Sequence, residues 1–152
     1  MLSQKSKYAL KAAIALARDY GQGPVLISDI AQRERIPRKF LELILLELRN
    51  KGILQSRKGK GGGYFLAREP AHVTLGEILR VVEGPLAPIA CVSKTAYLRC
   101  RDCRDENNCG IHMVMKDVRD ATARILDSTT LADVLARVAG NVNGRAALTY
   151  EI

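Results

Sequence analysis

The 152-residue chain lacks any apolar run near the ~20 residues that a membrane-spanning helix needs, so no such helix is expected. Its opening, MLSQKSKYALKAAIALARDYG, has the basic start of a secretory leader but not the rest of one. Lys11, Arg18 and Asp19 interrupt the apolar stretch, and no small-residue cleavage site follows it. The segment is therefore read as a helix of a cytoplasmic protein. Coenzyme-binding motifs and catalytic constellations are also missing, which argues against an enzyme. Cysteine is absent from the first 90 residues and from everything after Cys109. With no second cysteine set, an electron-carrying or metal-storing iron–sulfur protein is a weaker reading than a binding protein with one sensor site.

Acidic residues are scarce in the first half. Residues 1–70 carry 14 Lys and Arg against 6 Asp and Glu, whereas residues 71–152 carry 10 of each. The whole net charge of +8 thus sits in the first half, which makes that half the candidate for a polyanion-binding face.

Hydrophobic spacing organises this half. Tyr8, Ala9, Ala12, Ala13, Leu16, Ala17 and Tyr20 recur at helical intervals up to Gly21. Ser28 is placed as the cap of a short second helix through about Arg33, with Ile30 and Ala31 inward. Pro37 suits the first turn of a third helix, whose Leu41, Ile44, Leu45 and Leu48 form a buried stripe. The next stretch, ILQSRKGKGGGYFLAREP, predicts short strands over 53–57 and 64–67. They are joined by a tip of Lys58, Gly59, Lys60, Gly61 and Gly62. Helix, short helix, turn, helix and hairpin, in that order, describe a winged helix-turn-helix. The fold is therefore expected to be mainly α, with the DNA-binding domain over residues 1–85.

In such a domain the second helix of the motif enters the major groove with its N-terminal residues leading. Those residues are Pro37, Arg38, Lys39 and Glu42, with Ser28 on the preceding helix and Phe40 assigned to packing. Arg38 has the forked donors to read a guanine edge, and Glu42 either accepts from cytosine or orients Arg38. Arg57, Lys58, Lys60, Gly61 and Gly62 form the wing, suited to phosphates or the minor groove. The implied partner is double-stranded DNA.

Thr74 and Glu77 form a capping pair for a helix through Val82, stopped by Gly84 and Pro85. A longer helix is expected from about Gly110, with Ile111, Val114, Met115, Val118, Ala121, Thr122 and Ile125 along one face. Lys116, Asp117, Arg119, Asp120 and Arg124 fall on the other. A stripe of this kind beyond a compact domain is most economically buried against a second copy, which also places two recognition helices one DNA turn apart. Ile111, Met115, Val118, Thr122 and Ile125 are the expected dimer contacts. Thr130 with Asp133 opens a last short helix through Val138, and residues 141–152 are expected to be a flexible tail.

Between these parts lies CVSKTAYLRCRDCRDENNCGIH, with the spacing Cys91-x8-Cys100-x2-Cys103-x5-Cys109-x2-His112. Thiolate sulfur and imidazole nitrogen suit zinc and iron–sulfur clusters alike. Five potential ligands serve a four-coordinate zinc, a cluster, or a thiol–disulfide switch through Cys100 and Cys103, and spacing alone leaves these open. The charged residues Arg99, Arg101, Asp102, Arg104, Asp105 and Glu106 read as a solvated pattern. His72, remote from the cysteines, is read as structural or exposed.

The segments SKYALKAAIALA, FLELILLELRNKGILQSRKGKGGGYFLAREP and VTLGEILRVVEG, in this order, resemble the Rrf-type winged-helix regulators over roughly residues 1–138. The resemblance implies a homodimer crossed through the helix near 112–125, a palindromic operator, and no enzymatic activity. It places Arg57 and the Gly61–Tyr64 run in the wing. It further implies a [2Fe-2S] or [4Fe-4S] cluster held by three cysteines of the loop, with a histidine as fourth ligand. Cys91, Cys109 and His112 match that pattern by position. The middle ligand departs from the usual spacing: Cys103 keeps the five-residue interval to Cys109, while Cys100 is the substitute or a disulfide partner. The expected function is transcriptional regulation through a cluster that senses redox state, nitric oxide or iron. A zinc- or thiol-based repressor is the alternative.

Overall fold

The computed structural model describes residues 2–150, with side chains described through residue 143. Helix α1 spans Gln4–Arg18 and is capped by Ser3, whose side chain accepts from the Ser6 amide at 3.1 Å. Ser3 also donates through its amide and hydroxyl to Glu83, which ties the start of α1 to the end of α4 (Leu75–Val82). The buried face of α1 is almost all alanine around Leu16. Small side chains let neighbouring helices approach closely. Tyr20, expected on that stripe, is instead exposed, because the helix ends at Arg18 and the chain has already turned away.

Helix α2 covers Ile27–Glu34, and Ser28 is not its cap. Val25 exchanges two backbone hydrogen bonds with Tyr64, at 2.8 and 2.9 Å, which fixes the chain up to Leu26. The helix starts directly after that bridge, so Ser28 lies exposed inside its first turn. Arg35 then adopts the left-handed conformation (φ 54°), and the turn buries Ile36. Helix α3, Arg38–Asn50, begins one residue after Pro37 and buries Leu41, Ile44, Leu45 and Leu48 as its spacing predicts.

Strands β1 (Leu54–Arg57) and β2 (Gly63–Leu66) pair antiparallel, with Leu54 opposite Leu66 and Arg57 opposite Gly63. A Cβ on Gly63 would lie 2.2 Å from the Val25 carbonyl oxygen. Glycine is therefore what lets the wing close on the segment leading into α2.

Thr74 caps α4 by accepting from the Glu77 amide at 3.2 Å. The Glu77 carboxylate does not complete a reciprocal box; it pairs with Arg68. Beyond α4 the chain runs through the cysteine loop and helix α5 (Gly110–Ser128), then returns. The Leu131 amide donates to the Val73 carbonyl at 2.9 Å and the Leu75 amide to that of Thr129 at 3.0 Å. Leu131 is fully buried as part of the main hydrophobic core, and its helix packs on α1 and the Pro70–His72 turn. The core of the first 85 residues is thus completed by residues from the last helix.

That helix, α6, runs Leu131–Tyr150, longer than expected. Residues 141–150 are helical where a flexible tail was anticipated, and residues 151 and 152 lie outside the described residues. Thr130 and Asp133 make the full reciprocal cap at its start, at 2.8 and 3.1 Å.

Candidate functional site

The start of α3 and the wing present their cations to solvent. Arg38 Nε donates to Glu42 Oε1 at 3.1 Å, with both side chains largely exposed. Glu42 therefore orients Arg38, one of the two roles considered for it, and no ion pair among the described residues engages the terminal guanidinium nitrogens. Lys39, Arg57, Lys58 and Lys60 are exposed and form no ion pair among the described residues. Other cations are held in ion pairs: Lys5 with Glu47, Arg33 with Asp19, Arg80 with Asp127. The helix start and the wing thus present exposed cations that no ion pair among the described residues engages.

The wing's glycines have different tasks. Gly59 and Gly61 turn the tip through positive φ and are exposed. Gly62, expected as a contact residue, is buried, and a Cβ there would meet the Arg57 carbonyl oxygen at 2.2 Å. It closes the turn from inside. Phe40 is exposed despite its assignment to packing, and stands edge-on to Tyr8 with ring centroids 6.2 Å apart.

The cysteine loop is built on short turns. Cys91 sits in a 3₁₀ turn, Ala90–Val92, and Cys109 caps α5. A second turn, Glu106–Asn108, is capped by Asp105. Sulfur of Cys91, a carboxylate oxygen of Glu106 and a ring nitrogen of His112 all lie within 4.8 Å of one another. His112 Nδ1 is buried and has no hydrogen-bond partner among the described residues. A buried polar nitrogen left unpaired costs free energy unless a ligand takes it up. The thiolate, carboxylate and imidazole donor set is one that divalent transition metals use. The residues present therefore fit a metal centre.

Cys109 does not join that triad. It neighbours Cys103 instead, whose thiol is pushed up first by burial and then by the adjacent Cys109. Burial first, and then the Glu106 carboxylate, likewise raise the Cys91 thiol. Cys91, Cys103 and Cys109 are half-buried, whereas Cys100 is exposed. His72 is exposed, as expected.

Two residues of the candidate site escaped the sequence reading. Glu106 looked like part of a solvated charge pattern, but it accepts from the Tyr97 hydroxyl at 2.6 Å and faces Cys91. Its position in the short turn just before Cys109 was the only available signal. Arg119, placed on the solvated face of α5, has a side chain only 13% exposed, and its Nη1 donates to the Val92 carbonyl at 2.6 Å. It links the Cys91 turn directly to α5. The stripe of α5 is uncovered: Ile111, Val114, Val118 and Ile125 are 67, 56, 42 and 57% exposed. Thr122 is exposed with them and Met115 is half-buried. Among the described residues no helix is long and apolar enough to cross a membrane.

A basic wing and recognition helix joined to a thiol-rich loop and an uncovered helix define a regulator of the winged helix-turn-helix class. A family model described as Rrf2, iron-dependent transcriptional regulator, matches residues 2–137. The chain belongs to the Rrf2 family, whose members are transcriptional regulators rather than enzymes. It is 45% identical over 145 residues to an rrf2-like HTH-type transcriptional regulator of Rhodobacter capsulatus, covering 93% of this chain and 95% of that one. Among solved structures it is similar to CymR, the global cysteine regulator of B. subtilis, with a TM-score of 0.75 and 34% identity. That match covers 90% of this chain and 97% of the other. It is also similar to T. potens IscR, with a TM-score of 0.72 and 32% identity, over 91% and 88% of the two chains.

Proposed function

We propose that the chain is a cytoplasmic, homodimeric regulator whose affinity for operator DNA is set by an iron–sulfur cluster held by Cys91, Cys103, Cys109 and His112. The observation that carries this reading is the buried, partnerless Nδ1 of His112 beside Cys91. Both residues lie where the loop meets the start of α5. The similarity to IscR and the iron-dependent description of the family model support it further. Cys103 is preferred over Cys100 as the middle ligand, because it is half-buried beside Cys109 whereas Cys100 faces solvent.

When bound, the cluster supplies a centre that gains or loses electrons and reacts with small gases. The chain's own residues carry its state to the DNA-binding end. Arg119 ties the Cys91 turn to α5, and Asp127 at the far end of α5 pairs with Arg80 of α4 at 2.5 Å. Glu83, just past α4, holds the start of α1. A shift of the loop is thereby passed to both the dimer helix and the winged domain. In this reading residues 1–85 contact DNA through Arg38, Lys39, Arg57, Lys58 and Lys60, and residues 86–140 sense and dimerise.

Anaerobic purification with iron, sulfide and zinc analysis and an absorption spectrum tests the proposal. Stoichiometric iron and sulfide with a visible charge-transfer band are expected. Colourless protein with one zinc per chain would overturn it.

A further inference from the structure

Glu106 does not belong to the proposed cluster set, yet it shares a tighter group with Cys91 and His112 than Cys103 or Cys109 does. We infer that Cys91, Glu106 and His112 form a second, sulfide-independent site for a single divalent first-row transition ion, which occupies the loop when no cluster is present. The inference rests on the cluster reading only in that the two ligand sets share Cys91 and His112, so that they exclude one another.

Geometry and chemistry agree on this. The three donor atoms stand within 4.8 Å of one another, so small side-chain rotations bring them to the roughly 3.5 Å separations that bonds of about 2.0–2.3 Å to one tetrahedral ion require. A thiolate and a carboxylate balance the two positive charges of the ion, and a neutral imidazole completes the set. Three protein ligands leave a fourth position for water. On binding, the Cys91 thiol gives its proton to solvent, and Glu106 and neutral His112 enter without redox change.

Each donor is also held in place. The Tyr97 hydroxyl donates to Glu106 Oε1 at 2.6 Å, the kind of outer hydrogen bond that orients a carboxylate ligand. Asp105 accepts from the Asn107 amide at 3.0 Å and fixes the turn that Glu106 opens. Arg119 holds the carbonyl next to Cys91. His112 lies in the first turn of α5, with Nδ1 buried and without a partner.

The full-length protein, freed of iron and sulfide and kept reduced under anaerobic conditions, is titrated with Co²⁺. Binding is read from the cobalt d–d bands and the thiolate-to-cobalt charge-transfer band. One Co²⁺ per chain is expected. Tyr97→Phe should weaken binding by about 10-fold or more. Glu106→Gln and His112→Ala should weaken it further, and Cys91→Ser should abolish the charge-transfer band. Cys100→Ser and Cys103→Ser should leave the titration unchanged.

The same variants are then given ferrous iron and sulfide. Here Cys103→Ser should fail and Glu106→Gln should assemble a cluster. Cobalt binding that needs Cys103 and ignores both Glu106→Gln and Tyr97→Phe would overturn the inference and leave the cluster reading standing. Failure of every protein to assemble a cluster, with the cobalt pattern intact, would overturn the cluster reading and support this site.

Discussion

At Arg38 one edge of the guanidinium is held by Glu42 and the other faces outward at the leading end of α3. Arg57 lies at the end of β1 with no ion-pair partner among the described residues, beside a tip that turns through Gly59 and Gly61. The two arginines should therefore fail differently. Arg38→Ala is expected to cost about 1–3 kcal/mol on a preferred duplex and much less on a scrambled one. Arg57→Ala should weaken both alike and lower the salt slope of log K by about 1. Paired titrations over a salt series check this, and equal losses for Arg38→Ala on the two duplexes would remove its base-reading role. Residue identity made both positions legible in the sequence. Glu106 and Arg119 were not legible, because an acid among alternating charges and a cation on a polar helix face both read as solvated. Only the folded loop brings Glu106 to Cys91 and Arg119 to the Val92 carbonyl.

Helices and strands followed hydrophobic spacing closely. Alanine and leucine periodicity located α1 and α3, and glycine density located the wing. The starts of elements were harder to read wherever a distant partner set them. Helix α2 begins at Ile27 because Val25 is bridged to Tyr64, a pairing across 39 positions that local capping rules do not contain.

The start of α6, by contrast, is local: Thr130 and Asp133 cap each other's amides. Thr130→Ala should cost about 0.5–2 kcal/mol, measured by denaturant unfolding. Bonds from Thr130 hold the Asp133 carboxyl below its ordinary value of 3.8. A carboxylate with a depressed folded pKa stabilises the fold above its unfolded pKa. That contribution is lost as pH falls through the folded one. Helix α6 should accordingly loosen in acid below about pH 4, and Asp133→Asn should flatten this part of the stability profile.

The whole molecule is a loop-and-return. The chain leaves the winged domain after α4, passes the cysteines, runs along α5, and comes back to bury Leu131 in the first core. Amphipathicity predicted that α5 would carry an apolar stripe, and the fold leaves that stripe uncovered. Val118→Asp, which places a charge on it, should give monomers by light scattering while far-UV circular dichroism stays unchanged. A dimer that survives the substitution would locate the interface elsewhere. The return through Leu131 was not legible, since nothing local marks which core a helix start will join. It matters because the winged domain then receives α5 at both ends, through the cysteine loop and through α6.

That arrangement makes coupling between loop and DNA the central claim. The most direct test is the affinity of one operator duplex for anaerobically purified cluster-loaded protein and for the same preparation after cluster removal, at one salt concentration. A coupling free energy of about 1–3 kcal/mol, or about 5–150-fold in affinity, is predicted between the two forms. Equal affinity of the loaded and cluster-free protein would contradict the account.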